Sequence, residues 1–148
     1  MKRIVTGQSE GKSVFLNTGE PPRSFTTALG NQMSYAWKTR SPVVVPAVEG
    51  DPTLTMPQGF RDMSPISGET NFLFITFPGN MMGRMHETDT VDYIVIISGE
   101  VWLILDDEAE VHLTAGDCVV QNGTLHAWQT RSAEPCTLAS IMIGATRP

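Results

Sequence analysis

From residue 90 onward, short apolar runs recur every eight to twelve residues or so, and that rhythm limits the fold more than any other feature of the chain. The runs are Asp92 to Ile97, Val101 to Leu105, Val111 to Thr114, Cys118 to Gln121, Ala127 to Thr130 and Thr137 to Ile143. Each is of strand length, and helical periodicity is hard to find anywhere. Between them lie Ser98-Gly99-Glu100, the acidic segment Asp106 to Glu110, Ala115-Gly116-Asp117 and Asn122-Gly123-Thr124, all rich in turn-forming residues. Ser98-Gly99-Glu100 reads as a tight hairpin, with glycine free to take a positive φ. Phe72 to Phe77, closed by Pro78-Gly79-Asn80, adds a strong strand upstream. This spacing predicts an all-β sandwich or barrel.

The first 70 residues read differently. Val14 to Leu16 and Ser34 to Lys38 are short strand candidates, and Pro42 to Val48 is a third whose prolines suit an edge or an arm. Loop-like stretches such as Thr18 to Arg23 and Glu49 to Pro52 separate them. The expected organisation is an N-terminal arm over 1–70, whose edge strands pack on the barrel or on a partner subunit, and a barrel over 71–148. Together they make one structural domain, as 148 residues would suggest.

Charge narrows the function. Ten Lys and Arg against sixteen Asp and Glu give a net charge of −6, so the clustered positive charge needed for nucleic acid or an anionic membrane is missing. No apolar run is long enough to span a bilayer. Met1-Lys2-Arg3-Ile4-Val5 carries charge with no apolar stretch behind it, unlike a signal peptide. Two cysteines, Cys118 and Cys136, form no disulfide framework and suit a reducing compartment, so a cytoplasmic location is expected. The stretch Gly7 to Ser13 is one residue short of phosphate-loop spacing, and no strand–helix pair frames it.

All three histidines, His86, His112 and His126, lie between Gly83 and Trp128. His86 and Asp92 are six apart and Thr88 lies between them at the same parity, so one continuous strand would put the three on one face. An antiparallel barrel can bring His126 back beside them. Two imidazoles and a carboxylate then form a facial ligand set for a divalent metal, with positions left open for water or substrate. A buried histidine is more often a hydrogen-bonded core residue than a ligand. A buried Asp92, however, is costly unless something compensates its charge.

The stretch from Gly79 to Trp128 resembles the cupin family. His86, Thr88, Asp92 and Gly99 stand at the spacings of the first cupin motif, which carries two histidines, a glutamate and a glycine. Gly116-Asp117, Gly123 and His126 stand at those of the second. The sequence departs from the pattern in three ways: Thr88 replaces the second histidine, Asp92 replaces the glutamate, and the second turn is one residue shorter and lacks its proline. The resemblance implies a double-stranded β-helix, the cupin jelly-roll barrel. It also implies one divalent ion (Fe, Mn, Ni or Zn) held by His86, Asp92 and His126, with Thr88 at most a neutral residue supporting the ligands, and a homodimer.

Other residues are assigned by parity. Trp128 shares the face of His126 and can wall a pocket, and Trp102 can line either face. Arg84 shares the parity of His86 and can grip a substrate carboxylate with a bidentate fork. Met81, Met82 and Met85 are adaptable contacts near the mouth. His112 alternates with Val111 and Leu113 and is expected to face out, whereas Cys118, in an apolar strand, is expected to be buried. Tyr35 and Trp37 share parity and suit either a pocket cap or a dimer interface. The expected function is an enzyme on a small carbonyl- or carboxylate-bearing molecule, such as a polyketide or aromatic metabolite, catalysing decarboxylation, dehydration, isomerisation or cyclisation. A non-haem Fe(II) dioxygenase and a non-catalytic small-molecule binder are the alternatives.

Overall fold

The structure is a computed structural model describing residues 1–46, 50–56 and 63–148. Its strands are β1 (Arg3–Ser9), β2 (Lys12–Gly19), β3 (Ser24–Thr26), β4 (Gln32–Thr39), β5 (Thr70–Phe77), β6 (Thr90–Ser98), β7 (Glu100–Ile104), β8 (Glu110–Thr114), β9 (Cys118–Asn122), β10 (Ala127–Gln129) and β11 (Cys136–Gly144). Six form one antiparallel sheet in the order β3-β4-β5-β11-β6-β9, and three form a second in the order β10-β7-β8. From β6 to β11 the chain winds between the two sheets, as a double-stranded β-helix does. β1 and β2 form a separate hairpin arm. The first 70 residues thus supply β3 at the edge of the six-stranded sheet and β4 next to it, paired on both sides.

Alternation places the core. In β6, Thr90, Asp92, Ile94 and Ile96 are buried while Tyr93, Val95 and Ile97 are exposed. Ile94 and Ile96 meet Val101, Leu103, Leu113 and Trp128 of the facing sheet, along with Phe77 and Leu138. Each such side chain contributes roughly 1.5–3 kcal/mol on full burial. A second cluster of Met33, Tyr35, Leu73 and Met142, covered by Met56 and Met63, fills the β4–β5 end. Among the described residues no helix is long and apolar enough to cross a membrane.

Several expectations change. Ser98-Gly99-Glu100 is not a hairpin, because β6 and β7 belong to different sheets. It is the corner where the chain changes layer. Gly99 sits there at a φ of 75°, with the Pro135 carbonyl occupying the space a Cβ would need. Pro42 to Pro46 forms no strand, and the Ser41–Pro42 and Val45–Pro46 peptides are cis. Positions 47 and 48 of that expected strand lie outside the described residues. A bulge at Ala36 breaks the shared parity of Tyr35 and Trp37: Tyr35 pairs with the inward Leu73, and Trp37 with the half-buried Phe72 on the outer side. Cys118 is exposed rather than buried, because Val119 and Gln121 take the inward positions of β9.

Candidate functional site

β6 begins at Thr90, so His86 and Asp92 do not share one continuous strand. His86 instead pairs with His126 across a lone antiparallel bridge, each backbone N–H donating to the other's carbonyl at 2.9 Å. Residues opposed in this way carry their side chains on one face. The two imidazole centroids stand 4.4 Å apart, with the rings tilted by 45°. His126 is buried, and His86 is half-buried.

Both rings are oriented by the backbone. His86 Nδ1 lies 2.9 Å from the Arg84 carbonyl, and His126 Nδ1 lies 2.9 Å from the Thr124 carbonyl. A carbonyl only accepts, so each Nδ1 carries a proton, and in the neutral ring the lone pair is on Nε2. That tautomer is the one an Nε2 metal ligand requires. Gln121 stabilises this arrangement: its Nε2 donates to the Thr124 carbonyl, and its Oε1 accepts from the Thr124 N–H and hydroxyl. Burial lowers the His126 pKa, the Thr124 carbonyl partly offsets this, and the neighbouring His86 lowers it further. His126 is therefore neutral at pH 7.

Asp92 points inward from β6 and is 6% exposed. Burial raises its pKa, against a hydrogen bond from Thr90 and the charge of His86. Its Oδ1 is buried with no hydrogen-bond partner. Thr88 is half-buried and lies 2.7 Å, hydroxyl to hydroxyl, from the buried Thr90, one bond removed from Asp92. The donor types suit a divalent cation, with two imidazole nitrogens and a carboxyl oxygen that lacks a partner. The histidines converge as a pair. Among the described residues no group of three or more His, Cys, Asp or Glu is arranged to hold a metal ion.

The remaining sequence-derived residues separate. Trp128 lies beside the pair, edge-on to His126 at 6.0 Å and stacked on Phe77 at 6.1 Å within the core. Trp102 is on the outer face of the three-stranded sheet, between the His112 ring at 4.2 Å and the Arg131 guanidinium at 4.7 Å. It is therefore not brought to the histidines. Arg84 is exposed, and its carbonyl rather than its side chain serves His86. Met81 is buried in the core, whereas Met82 and Met85 are exposed. His112 is exposed, 2.8 Å from Glu100. Two surface clefts lie elsewhere: one of 160 Å³ at Leu103, Leu105 and Val111, and one of 340 Å³ between Met1, Glu20 and Phe25.

Sequence reasoning missed Gln121 and Arg147. Gln121 was detectable as the polar residue ending an apolar strand. Arg147 hydrogen-bonds the Thr88 and Gly123 carbonyls and pairs with Asp89 and Glu87, tying together the loops next to both histidines. A surface arginine near a chain end carries no signal of such a role.

No protein-family model matches the chain. It is 35% identical over 95 residues to phomopsin biosynthesis cluster protein C' of Diaporthe leptostromiformis, a match covering 54% of this chain and 50% of that protein. It is 31% identical over 130 residues to the cupin-domain-containing oxidoreductase virC of Hypocrea virens, covering 85% of this chain and 65% of that protein. The chain thus spans about half the length of the first of these relatives and under two thirds of the other. In structure it is similar to the cupin domain of Schizosaccharomyces pombe Cnp3, with a TM-score of 0.59 and 7% identity over 97% of this chain and 87% of that one.

Proposed function

This chain is a cupin, with that superfamily's double-stranded β-helix fold, and we propose that it is a metal-dependent enzyme acting on a small carbonyl- or carboxylate-bearing organic molecule. The observation that carries this reading is the opposed His86–His126 pair, with both Nδ1 atoms held by backbone carbonyls. His86 and His126 would hold the ion through Nε2, and Asp92, with its partnerless Oδ1, would be the third ligand. Iron, manganese, nickel and zinc all accept two imidazoles and a carboxylate. Such an ion acts as a Lewis acid on a bound carbonyl or carboxylate, which suits decarboxylation, dehydration, isomerisation or cyclisation.

The protein's own residues would do the positioning. The Thr124 and Arg84 carbonyls keep the two rings from turning, Gln121 fixes Thr124, and the Thr88–Thr90 hydroxyl pair orients Asp92. Trp128 supplies an apolar wall beside His126 that would keep water from one side of a bound substrate. A relative named for a biosynthesis cluster supports a biosynthetic metabolite as the substrate. A second reading, a non-haem Fe(II) dioxygenase with the same ligands, is supported by the relative named an oxidoreductase.

The test is turnover by protein reconstituted without oxygen with Fe(II), Mn(II), Ni(II) or Zn(II), on a panel of β-keto acids, hydroxy ketones and aromatic carboxylates. Products are followed by mass spectrometry and dioxygen by electrode. Product without oxygen uptake is expected. Oxygen consumed in step with product replaces this reading with the dioxygenase. A rise in melting temperature with ligand but no product with any metal makes the chain a binding module and overturns both enzyme readings.

A further inference from the structure

The His86–His126 bridge stands outside the sheets. The β6–β9 ladder ends at the pair Val91 and Asn122, and the next paired residues of these two segments are His86 and His126 themselves. In the interval, 87–90 on one side and 123–125 on the other, no residues pair with one another among the described ones. A bridge with no ladder beside it on that side belongs to the low-stability end of a fold, where backbone bonds open locally. Both imidazoles are carried by it, so their separation depends on what closes the interval.

Arg147 closes it. Its Nη2 donates to the Thr88 carbonyl at 3.2 Å and to the Gly123 carbonyl at 3.0 Å, and its Nε donates to Asp89 Oδ1 at 2.5 Å. Glu87 Oε2 lies 3.3 Å from the same Nη2. Thr88 is two residues from His86, and Gly123 is three from His126. Thr88 also reaches toward Asp92, because its hydroxyl meets that of Thr90, which hydrogen-bonds the Asp92 carboxyl. The backbone aims the guanidinium: just past β11, the Ala145 N–H donates to the Asp89 carbonyl at 2.9 Å. Gly123 shows how closely the segments approach. A Cβ there would stand 3.3 Å from the Thr88 carbonyl oxygen and 3.4 Å from that of Thr90, and φ is 66°. Two carbonyls that converge on one nitrogen repel each other unless a cation donates to both. Exposed arginines that bond only side chains contribute little. Arg131, whose bonds end on the side chains of Glu110 and Gln129, is of that kind. The bonds of Arg147 end on the backbones of two separate segments.

We propose that Arg147 is a positioning residue for the candidate site: its guanidinium fork holds the His86 and His126 segments together and thereby sets how tightly the pair grips a metal. The metal half of this inference rests on the reading given under Proposed function, while the positioning half concerns the protein without any ion. The fork matters as well as the charge, because a lysine ammonium is a point charge and cannot span two carbonyls and a carboxylate in one plane.

The test is amide hydrogen exchange, followed by NMR, on the metal-free wild type, Arg147→Gln, Arg147→Lys and the control Arg131→Gln. The His86 and His126 amides, which donate across the bridge, should exchange at least tenfold faster in both Arg147 variants, with amides of β5 and β11 unchanged. Arg131→Gln should leave all of them unchanged. In parallel, competition with a chromophoric chelator should show the Zn(II) dissociation constant rising roughly tenfold in the Arg147 variants and not in Arg131→Gln. If Arg147→Gln does not fold, Arg147→Lys carries the same comparison. Unchanged exchange at both histidines overturns the proposal. So does equal acceleration throughout the barrel, which would make Arg147 a contributor to general stability. Wild-type behaviour in Arg147→Lys overturns the fork. An unchanged Zn(II) dissociation constant despite faster exchange overturns the link to metal affinity. A wild type that takes up no Zn(II) overturns the metal reading itself, and the exchange rates still decide whether Arg147 holds the bridge.

Discussion

The Asp51 carboxyl is partly buried, which raises its pKa, but hydrogen bonds from Arg3 and Thr53 outweigh this and hold it below its ordinary 3.8. A carboxyl depressed on folding contributes stability above its unfolded pKa and loses it as pH falls through the folded value. Asp51→Asn should therefore cost about 2–4 kcal/mol at pH 7, because it leaves Arg3 buried without its counter-charge. It should also flatten the loss of stability below about pH 4. Urea unfolding of both proteins between pH 3 and pH 7 checks this, and parallel curves would remove Asp51 from the acid limb. His126 works in the same direction at higher pH. Its pKa is lowered chiefly by burial, so the stability it contributes is present above 6.5 and is lost as pH falls through its folded value. Cys136 is buried and its thiol is pushed up to about 11 by burial and by Glu100, which makes it inert beside the exposed Cys118. Among single residues, the opposition of His86 and His126 was legible because motif spacing and turn positions agree. Cys118 was misjudged because alternation identifies the inner face only when the outer one is polar, and here both are apolar. Trp102 was ambiguous because parity says which residues share a face but not which face meets the core.

Elements were legible where each apolar run was flanked by turn residues. Every strand from β5 to β11 lies within two residues of its expected span. β1 and β3 were not visible: β1 carries no strong alternation, and β3 is three residues long. The Pro42 segment has the β-branched residues of a strand but lacks the backbone donors at its two prolines, and the structure leaves Pro42 to Pro46 outside any sheet. The Gly99 corner shows why a turn signal does not reveal which strands pair: a hairpin and a change of sheet use the same residue. Gly99→Ala should lower stability by about 2–3 kcal/mol, from the positive φ and the blocked Cβ position. That corresponds to a drop of roughly 5–10 °C in Tm for a chain of this size. An unchanged melting temperature would mean the β6–β7 corner is not as tight as the structure has it.

At the scale of the whole molecule, rhythm and turns predicted a sandwich or barrel, and the two-sheet winding from β6 to β11 followed from the family resemblance. The place of Gln121 beside Asp92, and of His86 on a bridge outside β6, was not predicted. Asp92 meets Gln121 only when β6 and β9 pair, and His126 meets His86 only at a bridge outside the named strands. A sequence read strand by strand cannot supply that third dimension. The central claim is that this end of the barrel holds a metal through His86 and His126. The most direct measurement is elemental analysis by plasma mass spectrometry of protein purified without chelators, for wild type, His126→Ala and His112→Ala. About one equivalent of Fe, Mn, Ni or Zn per chain is predicted in wild type and His112→Ala, with almost none in His126→Ala. No metal in wild type after anaerobic reconstitution, or equal loss in both variants, would contradict the claim.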